Sequence, residues 1–322
     1  MKKKLIGQLA VIALMLALFA AVDCAIYFGL TVRYKDNSSK LMQTKSIDLD
    51  RYLPFTEDSL IVKKKSSLQL TGDLPELDGA TALFPIYSAF MNATYPEDSC
   101  EFTGEDFTAQ SKLQKRSTPY AYEAVTNGTA DIIFVAQPSK EQIAAAEESG
   151  VELVYVPIGY EAFVFIVNTN NPVDTLTTDQ IKGIYTGKYT NWSEVGGSDA
   201  KILPLQRSVG SGSQTAMLDF MGGTEMLSPE ATTVLGGKSI GYSFRFYVEG
   251  IVANENVKML SVDGVAPTSD NIRSKSYPVT DTFFAVYRAD NTNENIPVLI
   301  DWILSDEGQA IIEETGYVGI GE

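Results

Sequence analysis

The sequence predicts an α/β protein of two lobes, each built around a central and largely buried sheet. With 322 residues, of which 44% are apolar, the chain can bury a large core. Beyond residue 74, short β-branched or aromatic runs alternate with amphipathic segments, which is typical of α/β sheets. After the first 33 residues roughly 290 remain, enough for two lobes of about 100 to 200 residues each.

The pattern of the body predicts individual elements. Strands are expected at 131–135, 153–156, 162–167 and 283–287, and helices at 138–148, 178–185, 215–221 and 298–315. Ser139 and Thr178 are the expected N-caps of two of these helices. Because neither an internal repeat nor a long Pro/Gly linker divides the body, we expect the lobes to share strands that cross between them.

The N-terminus predicts export. Three lysines at 2–4 precede a mainly apolar run at 5–32, long enough for a membrane-spanning helix. We expect residues 1–33 to be an uncleaved anchor; a lipid-modified Cys24 or a plain cleaved signal are the alternatives, and Asp23 suits lipidation poorly. In each case the body lies outside, since the lysines prefer the cytoplasmic side. Residues 34–70, with little periodicity, are expected to form a stalk.

Charge and residue types exclude several function classes. The formal net charge is −16, so the body should repel nucleic acid, whose binding depends on Lys and Arg. The chain has no histidine, which removes the Ser-His-Asp and Cys-His catalytic arrangements. Its two cysteines are too few for a disulfide framework or a cysteine zinc site.

The segment 205–218 is the most informative stretch. A segment with a strand-like pattern precedes Arg207. A Gly/Ser turn and a helix that begins near Ser213 follow it. Such a turn presents backbone N–H groups and the positive end of the helix dipole, while Ser211, Gly212 and Ser213 let an anion approach closely. Arg207 adds a cation with a planar fork. An ordinary capped loop with a surface ion pair is the alternative.

Two further helix starts offer similar donors. Thr81 lies just before an apolar helix, where its hydroxyl and the nearby amides of Ala82 and Leu83 can face a ligand. Ser117 or Thr118 lies at the start of another helix, whose first turn Pro119 suits. Each could instead be an N-cap and nothing more.

These segments together resemble the periplasmic phosphate-binding protein family, with the family's motif order kept over roughly residues 75 to 320. The resemblance is carried by DGATALFP at 78–85, DIIFV at 131–135 followed by Pro138, VN at 167–168, IYTGK at 184–188 with NW at 191–192, and RSVGSGSQT at 207–215.

The resemblance implies a two-lobed type II Venus-flytrap fold that captures its ligand between lobes. It implies lobe 1 at about 70–165 and 281–322, and lobe 2 at about 166–280. The family's ligand residues match three places. They are Thr81 with the amide of Ala82 or Leu83, Ser117 or Thr118 only approximately, and Arg207 with Ser211, Gly212 and Ser213.

One family feature is absent. The family commonly has an aspartate after the 131–135 strand that accepts a hydrogen bond from protonated phosphate and rejects sulfate. The equivalent residue is Ala136 or Gln137, and neither is acidic. Glu161 and Asp78 are the nearest substitutes under the rule that a site must pair a ligand's donor.

The expected function is therefore that of a monomeric solute-binding protein outside the cytoplasmic membrane, without cofactor or metal. It would capture inorganic phosphate and deliver it to an ABC importer permease. The alternative is a cell-surface phosphate or oxyanion sensor, or a binder of another tetrahedral oxyanion. An enzyme is not expected, because no base accompanies Ser213 and no acidic metal cluster is evident.

Overall fold

The computed structural model describes residues 48–228 and 238–321. The strands in these ranges are β1 (Leu77–Gly79), β2 (Ile132–Val135), β3 (Leu153–Asn168), β4 (Thr175–Leu176), β5 (Ile202–Pro204), β6 (Lys238–Phe244), β7 (Val257–Met259), β8 (Ser261–Val262), β9 (Thr280–Arg288) and β10 (Val318–Gly319). The α-helices are α1 (Phe84–Thr94), α2 (Thr118–Asn127), α3 (Lys140–Glu148), α4 (Thr178–Tyr185), α5 (Gly212–Met221), α6 (Ser269–Arg273), α7 (Asn295–Leu304) and α8 (Asp306–Thr315).

The main sheet is mixed and has the order β1-β2-β9-β3-β6-β5, with β7 and β10 also paired to β3. β1 runs parallel to β2 and β5 parallel to β6, whereas β9 and β6 lie antiparallel to β3. The small β4–β8 pair is separate from it. This is the mixed α/β architecture that the alternating pattern predicted.

Strand β3 joins two parts of this sheet. It is 16 residues long. Its first part pairs with β9 as far as Ala162, and its second part pairs with β6 from Phe163 onward. We call β1, β2, β9, β10 and β3 up to Ala162 the first half, and β5, β6, β7 and β3 from Phe163 the second half. The predicted sharing of strands is thus observed.

The sequence predicted two strands where β3 is continuous. Pro157 and Gly159 interrupt the β-branched pattern, which is why 153–156 and 162–167 look separate in the sequence. In the structure the pairing with β9 shifts register between Pro157 and Gly159, and the backbone remains extended across this irregularity. The register shift thus accommodates the two residues that fit a regular ladder poorly.

The helix predictions hold, with three changes. Ser139 caps α3 as expected, in a capping box with Gln142, but Thr177 and not Thr178 caps α4. The predicted helix at 298–315 is two helices, because Ser305 is extended, with ψ 168°, and Asp306 begins α8. The predicted helix at 215–221 begins earlier, at Gly212, where Ser211 is the N-cap.

The N-terminal predictions are only partly within the described ranges. Residues 1–33, with Cys24, lie outside them. None of the helices in 48–228 and 238–321 combines the length and apolar character needed to cross a bilayer. Part of the expected stalk is packed against the body: Tyr52, Ile61 and Leu70 are buried. The Ser88 hydroxyl in α1 donates to the Tyr52 carbonyl at 2.6 Å. Scattered apolar side chains can anchor an irregular segment without any periodicity.

Close approach of β1 to β2 predicts the effect of a methyl group at Gly79. A Cβ there would lie 2.4 Å from the Phe134 carbonyl oxygen and 3.0 Å from its nitrogen. Since both atoms are backbone, Gly79→Ala should lower the free energy of unfolding by about 1–3 kcal/mol in urea titrations. Gly321→Ala is the control, since a Cβ there meets nothing within 4 Å. Equal stability of the two variants would contradict the account.

Candidate functional site

A cavity of about 240 Å³ lies between the two halves, and the residues that the sequence predicted as hydrogen-bond donors to the ligand line it. The segments on the first-half side contribute Thr81, Ala82, Leu83, Ser117 and Thr118. The segments on the second-half side contribute Arg207, Ser211, Gly212 and Ser213. Thr81 and Ser213, which are 132 positions apart in the chain, therefore line the same cavity.

Thr81 begins a short 3₁₀ turn, Thr81–Leu83, between β1 and α1. The turn is tied to β2 because the Ala80 N–H donates to the Phe134 carbonyl at 2.8 Å. Neither Thr81 nor Ala82 uses its N–H in a hydrogen bond within the described ranges, and the Thr81 hydroxyl caps no helix. The capping alternative is not realised here, so these donors can face the cavity.

Ser117 has an unusual backbone, with φ 71° and ψ 162°. It is the N-cap of α2, yet its hydroxyl makes no capping hydrogen bond. A positive φ is uncommon for a residue other than glycine and is strained. This conformation leads directly into Thr118, whose hydroxyl oxygen would lie 3.5 Å from a Cβ placed on Gly212 in the second half. The turn therefore carries hydroxyls across the cavity toward the opposite wall.

Asp78 does not line the cavity. It is fully buried beside it, where its carboxylate accepts from the Gly79 N–H at 2.7 Å and from the Arg116 N–H at 2.9 Å. The Arg116 guanidinium also donates to it, at 2.7 Å. Burial raises the pKa of Asp78, and these hydrogen bonds oppose the rise. Asp78 thus joins the turn before Thr81 to the turn before Ser117, and its oxygens are already occupied.

The turn after β5 presents the start of α5 to the cavity. Ser211 is its N-cap: the hydroxyl accepts from the Gln214 N–H at 3.3 Å and donates to the Ser208 carbonyl at 2.9 Å. Consequently the Ser211 hydroxyl serves the helix itself. The N–H groups of Gly212 and Ser213 have no acceptor among the described residues and form the open end of the helix.

Arg207 lies beneath this turn and is 8% exposed. Its backbone N–H is held by the Gln214 side-chain oxygen at 3.0 Å and by the Tyr242 hydroxyl at 3.1 Å. Burial lowers the pKa of Arg207, and the hydroxyls of Tyr247 and Tyr242 oppose that shift. A guanidinium nevertheless keeps its charge in proteins. The cavity thus contains a buried, permanently positive group with a planar set of donors.

Glu161 lies in the cavity wall where β3 crosses between the halves. Its carboxylate accepts from the N–H groups of Ala162 at 2.8 Å and Phe246 at 3.2 Å, and pairs with Arg245 at 3.3 Å. Burial raises the pKa of Glu161 to about 7, opposed first by the charge of Arg245. Of the two substitutes proposed from sequence, Glu161 is therefore the one that the structure brings to the cavity.

Asp281 is a second carboxylate in the cavity wall, and sequence reasoning missed it. Asp281 and Glu161 are opposite each other in the antiparallel pairing of β9 with β3, and both line the cavity. Burial raises the pKa of Asp281 to about 6; the N–H of Thr282 opposes the rise and the charge of Asp219 adds to it. The available signal was an acid at the start of a β-branched and aromatic strand. Ala136 also lines the cavity, and there it provides no acceptor.

The two halves also contact each other directly. The Gln142 side-chain amide, on α3, donates to the Gly210 carbonyl at 3.4 Å. A Cβ placed on Gly210 would lie 3.6 Å from the Pro119 ring. The Gln142 side chain also belongs to the capping box of α3, where its oxygen accepts from the Ser139 N–H at 2.8 Å. The described conformation is therefore closed at this point.

Comparison with known proteins identifies the family and the fold. A family model described as a PBP superfamily domain matches residues 76–307. The phosphate-binding protein PstS of Borreliella burgdorferi is 28% identical over 200 residues, which cover 56% of this chain and 69% of the relative. PstS of Bacillus subtilis is 24% identical over 277 residues, covering 82% of this chain and 84% of the relative.

Solved structures give the same result. A substrate-binding protein from Clostridium perfringens, assigned to a phosphate ABC transporter and solved with bound phosphate, is 28% identical with a TM-score of 0.57. The match covers 76% of this chain and 98% of that one. An ABC-type phosphate transport receptor from Vibrio cholerae is 22% identical, with a TM-score of 0.54 and coverage of 75% and 98%, and shares the fold. The resemblance noted in the sequence is confirmed.

The raised pKa of Asp281 predicts a pH-dependent contribution to stability. The ordinary value is 3.8 and the native value about 6, so between them the folded state holds this proton more tightly than the unfolded chain. The stabilisation that Asp281 contributes is therefore present below about pH 4 and lost as the pH rises through about 6. Asp281→Asn keeps an acceptor for the Thr282 N–H but does not titrate.

The measurement is urea unfolding of the wild type and Asp281→Asn at several pH values from 4 to 7. We expect the free energy of unfolding of the variant, relative to the wild type, to increase as the pH rises across this interval. A difference that stays constant with pH would show that Asp281 titrates normally.

Proposed function

The chain belongs to the PBP superfamily, and on that premise we propose that it captures inorganic phosphate between its lobes and delivers it to an ABC importer. The observation that carries the proposal is the meeting of three donor-bearing helix starts and a buried arginine in one cavity. Thr81, Thr118 and the start of α5 come from distant parts of the chain, so their convergence is a property of the fold.

The donors suit a tetrahedral oxyanion. An anion that enters the cavity loses its water and needs a hydrogen-bond donor for each oxygen. The first half offers the N–H groups and hydroxyls around Thr81 and Thr118, and the second half offers the N–H groups of Gly212 and Ser213. Arg207 supplies the compensating charge, with two parallel donors. Of the site residues predicted from sequence, Ser211 and Leu83 have no ligand role in the proposal, because the Ser211 hydroxyl caps α5 and the Leu83 N–H donates to the Ala80 carbonyl at 2.9 Å.

Binding and closure are coupled in this mechanism. Donors on one half alone can satisfy only part of the anion, so the ligand favours the state in which both halves reach it. The Gln142 contact to Gly210 exists only where the halves meet, and it adds to the closed state. We place lobe 1 at 70–165 and 281–322 and lobe 2 at 166–280, with β3 and β9 at the crossing.

The comparisons support this choice of ligand. The relatives from Borreliella burgdorferi and Bacillus subtilis are named phosphate-binding proteins, and the similar protein from Clostridium perfringens was solved with bound phosphate. Their names describe binding proteins, and we propose that this chain likewise performs no chemistry on its ligand. The absence of histidine supports that, because the hydroxyls in the cavity have no imidazole base to activate them.

The location follows from the sequence. We propose that the protein acts as a monomer at the outer face of the cytoplasmic membrane. There it would be held by the N-terminal segment at 1–33 as a helix or through a lipid on Cys24. The charged start and the apolar run support export, and residues 34–47 would separate the anchor from the packed segment that follows.

Replacing Arg207 tests the proposal most directly. Phosphate titrated calorimetrically into the purified full chain should bind the wild type. Arg207→Ala should weaken binding by about 100-fold or more, since it removes a buried charge and its paired hydrogen bonds. Arg207→Lys should recover only part of the loss, because an ammonium lacks the fork. Arg51→Ala removes an exposed arginine and should bind as the wild type does. Absence of phosphate binding by the wild type would refute the proposal.

Gln142→Glu tests the contribution of closure. Glutamate keeps the side-chain oxygen that accepts from the Ser139 N–H, so α3 stays capped. It loses the amide that donates to the Gly210 carbonyl and places a negative charge there. Phosphate affinity should fall about 3- to 10-fold, the range of a single hydrogen bond. Glu141→Gln, one residue away on the exposed side, is the control; a fall of the same size in both would argue against the contact.

A further inference from the structure

The chemistry of the ligand requires more than donors. Near neutral pH phosphate retains at least one proton and therefore needs one acceptor in its site, whereas sulfate carries none. A cavity that offers only donors would bind both ions. A fixed carboxylate oxygen would pair with the phosphate proton and repel an unprotonated sulfate oxygen, so it would separate the two ions.

The cavity wall contains two carboxylates among the described residues, Glu161 and Asp281. Both carboxylate oxygens of Glu161 already accept hydrogen bonds: one accepts from the Ala162 N–H and from the Arg245 side chain, and the other accepts from the Phe246 N–H. Asp281 accepts a single hydrogen bond, from the Thr282 N–H to Oδ1 at 2.8 Å. Its Oδ2 has no partner in the described ranges. Among the carboxylate oxygens of this wall it is therefore the one without a hydrogen-bond partner in those ranges.

The position of Asp281 suits the same task. It stands opposite Glu161 at the point where β3 passes from the first half to the second. At this crossing Asp281 lines the same cavity as the donor turns of both halves, and a residue near the point where two lobes join moves less in a hinge closure than residues far from it. Asp281 is partly exposed, and it lines the cavity.

We propose that Asp281 accepts the hydrogen bond from the protonated oxygen of bound phosphate and thereby selects phosphate over sulfate. This assignment rests on the proposed function. In it Asp281, on β9, takes the place of the acid that is missing at Ala136. Burial raises the pKa of Asp281 to about 6, so the group is mainly ionised at pH 7.5 and can accept. The neighbouring Glu161 keeps its own bonds and holds Arg245 in place.

The test is calorimetric titration of the purified full chain with phosphate and, separately, with sulfate at pH 7.5. The wild type should bind phosphate at least about 100-fold more tightly than sulfate. In Asp281→Asn the amide donates where the carboxylate accepted. Phosphate affinity should therefore fall about 10- to 100-fold, and sulfate affinity should rise, so that the preference largely disappears.

Two further variants make the result specific. Asp281→Glu keeps a carboxylate and should still reject sulfate, even if phosphate binds more weakly. This second substitution also keeps the test open if the asparagine variant does not fold. Asp219→Asn removes an exposed carboxylate on α5 that does not line the cavity, so it should keep the preference of the wild type.

The outcomes separate the two proposals. Phosphate binding with an unchanged preference over sulfate in Asp281→Asn would overturn the role of Asp281 and leave the proposed function standing. Sulfate binding by Asp281→Glu as tight as its phosphate binding would overturn it as well. A wild type that binds no phosphate would overturn the proposed function, and the assignment of Asp281 with it.

Discussion

The continuity of β3 is the constraint on which the rest of the structure depends. One extended backbone pairs with β9 in the first half and with β6 in the second, so the halves meet along its length. The cavity forms beside this crossing, and Glu161 and Asp281 lie in its wall because the crossing strands carry them. Movement of one half relative to the other must therefore bend a strand that both halves share.

Helix starts with hydrogen-bond donors that no protein group in the described ranges uses are the second feature on which the site depends. Helix starts leave N–H groups without intrahelical partners, and most proteins satisfy them with caps or water. Here the first-half turns leave the hydroxyls of Thr81 and Ser117 uncommitted, and α5 leaves the N–H groups of Gly212 and Ser213 open. The positive φ of Ser117 shows that the chain tolerates strain at this place. Such a set of donors suits an anion better than a neutral ligand.

Sequence reasoning predicted the α/β class and the cavity residues because both depend on local patterns. The helix starts at Thr81, Thr118 and Gly212 could be located from glycine, proline and hydroxyl residues. The continuity of β3 could not, since the register shift near Gly159 depends on its partner strand. Asp281 was missed for a similar reason. A single acid at a strand start gains meaning only from the cross-strand neighbour and the cavity that the fold supplies.

The ion pair between buried Asp78 and partly exposed Arg116 has a consequence for how this protein can vary over evolutionary time. The two residues are 38 positions apart, yet together they fix the turns that precede Thr81 and Ser117. A change at either residue would disturb two turns of the same cavity wall at once, and loss of Arg116 would leave the Asp78 carboxylate buried without its ionic partner. Drift in ligand preference is therefore expected to begin at the opposite wall, around Ser208 and Val209, where a substitution affects one turn alone.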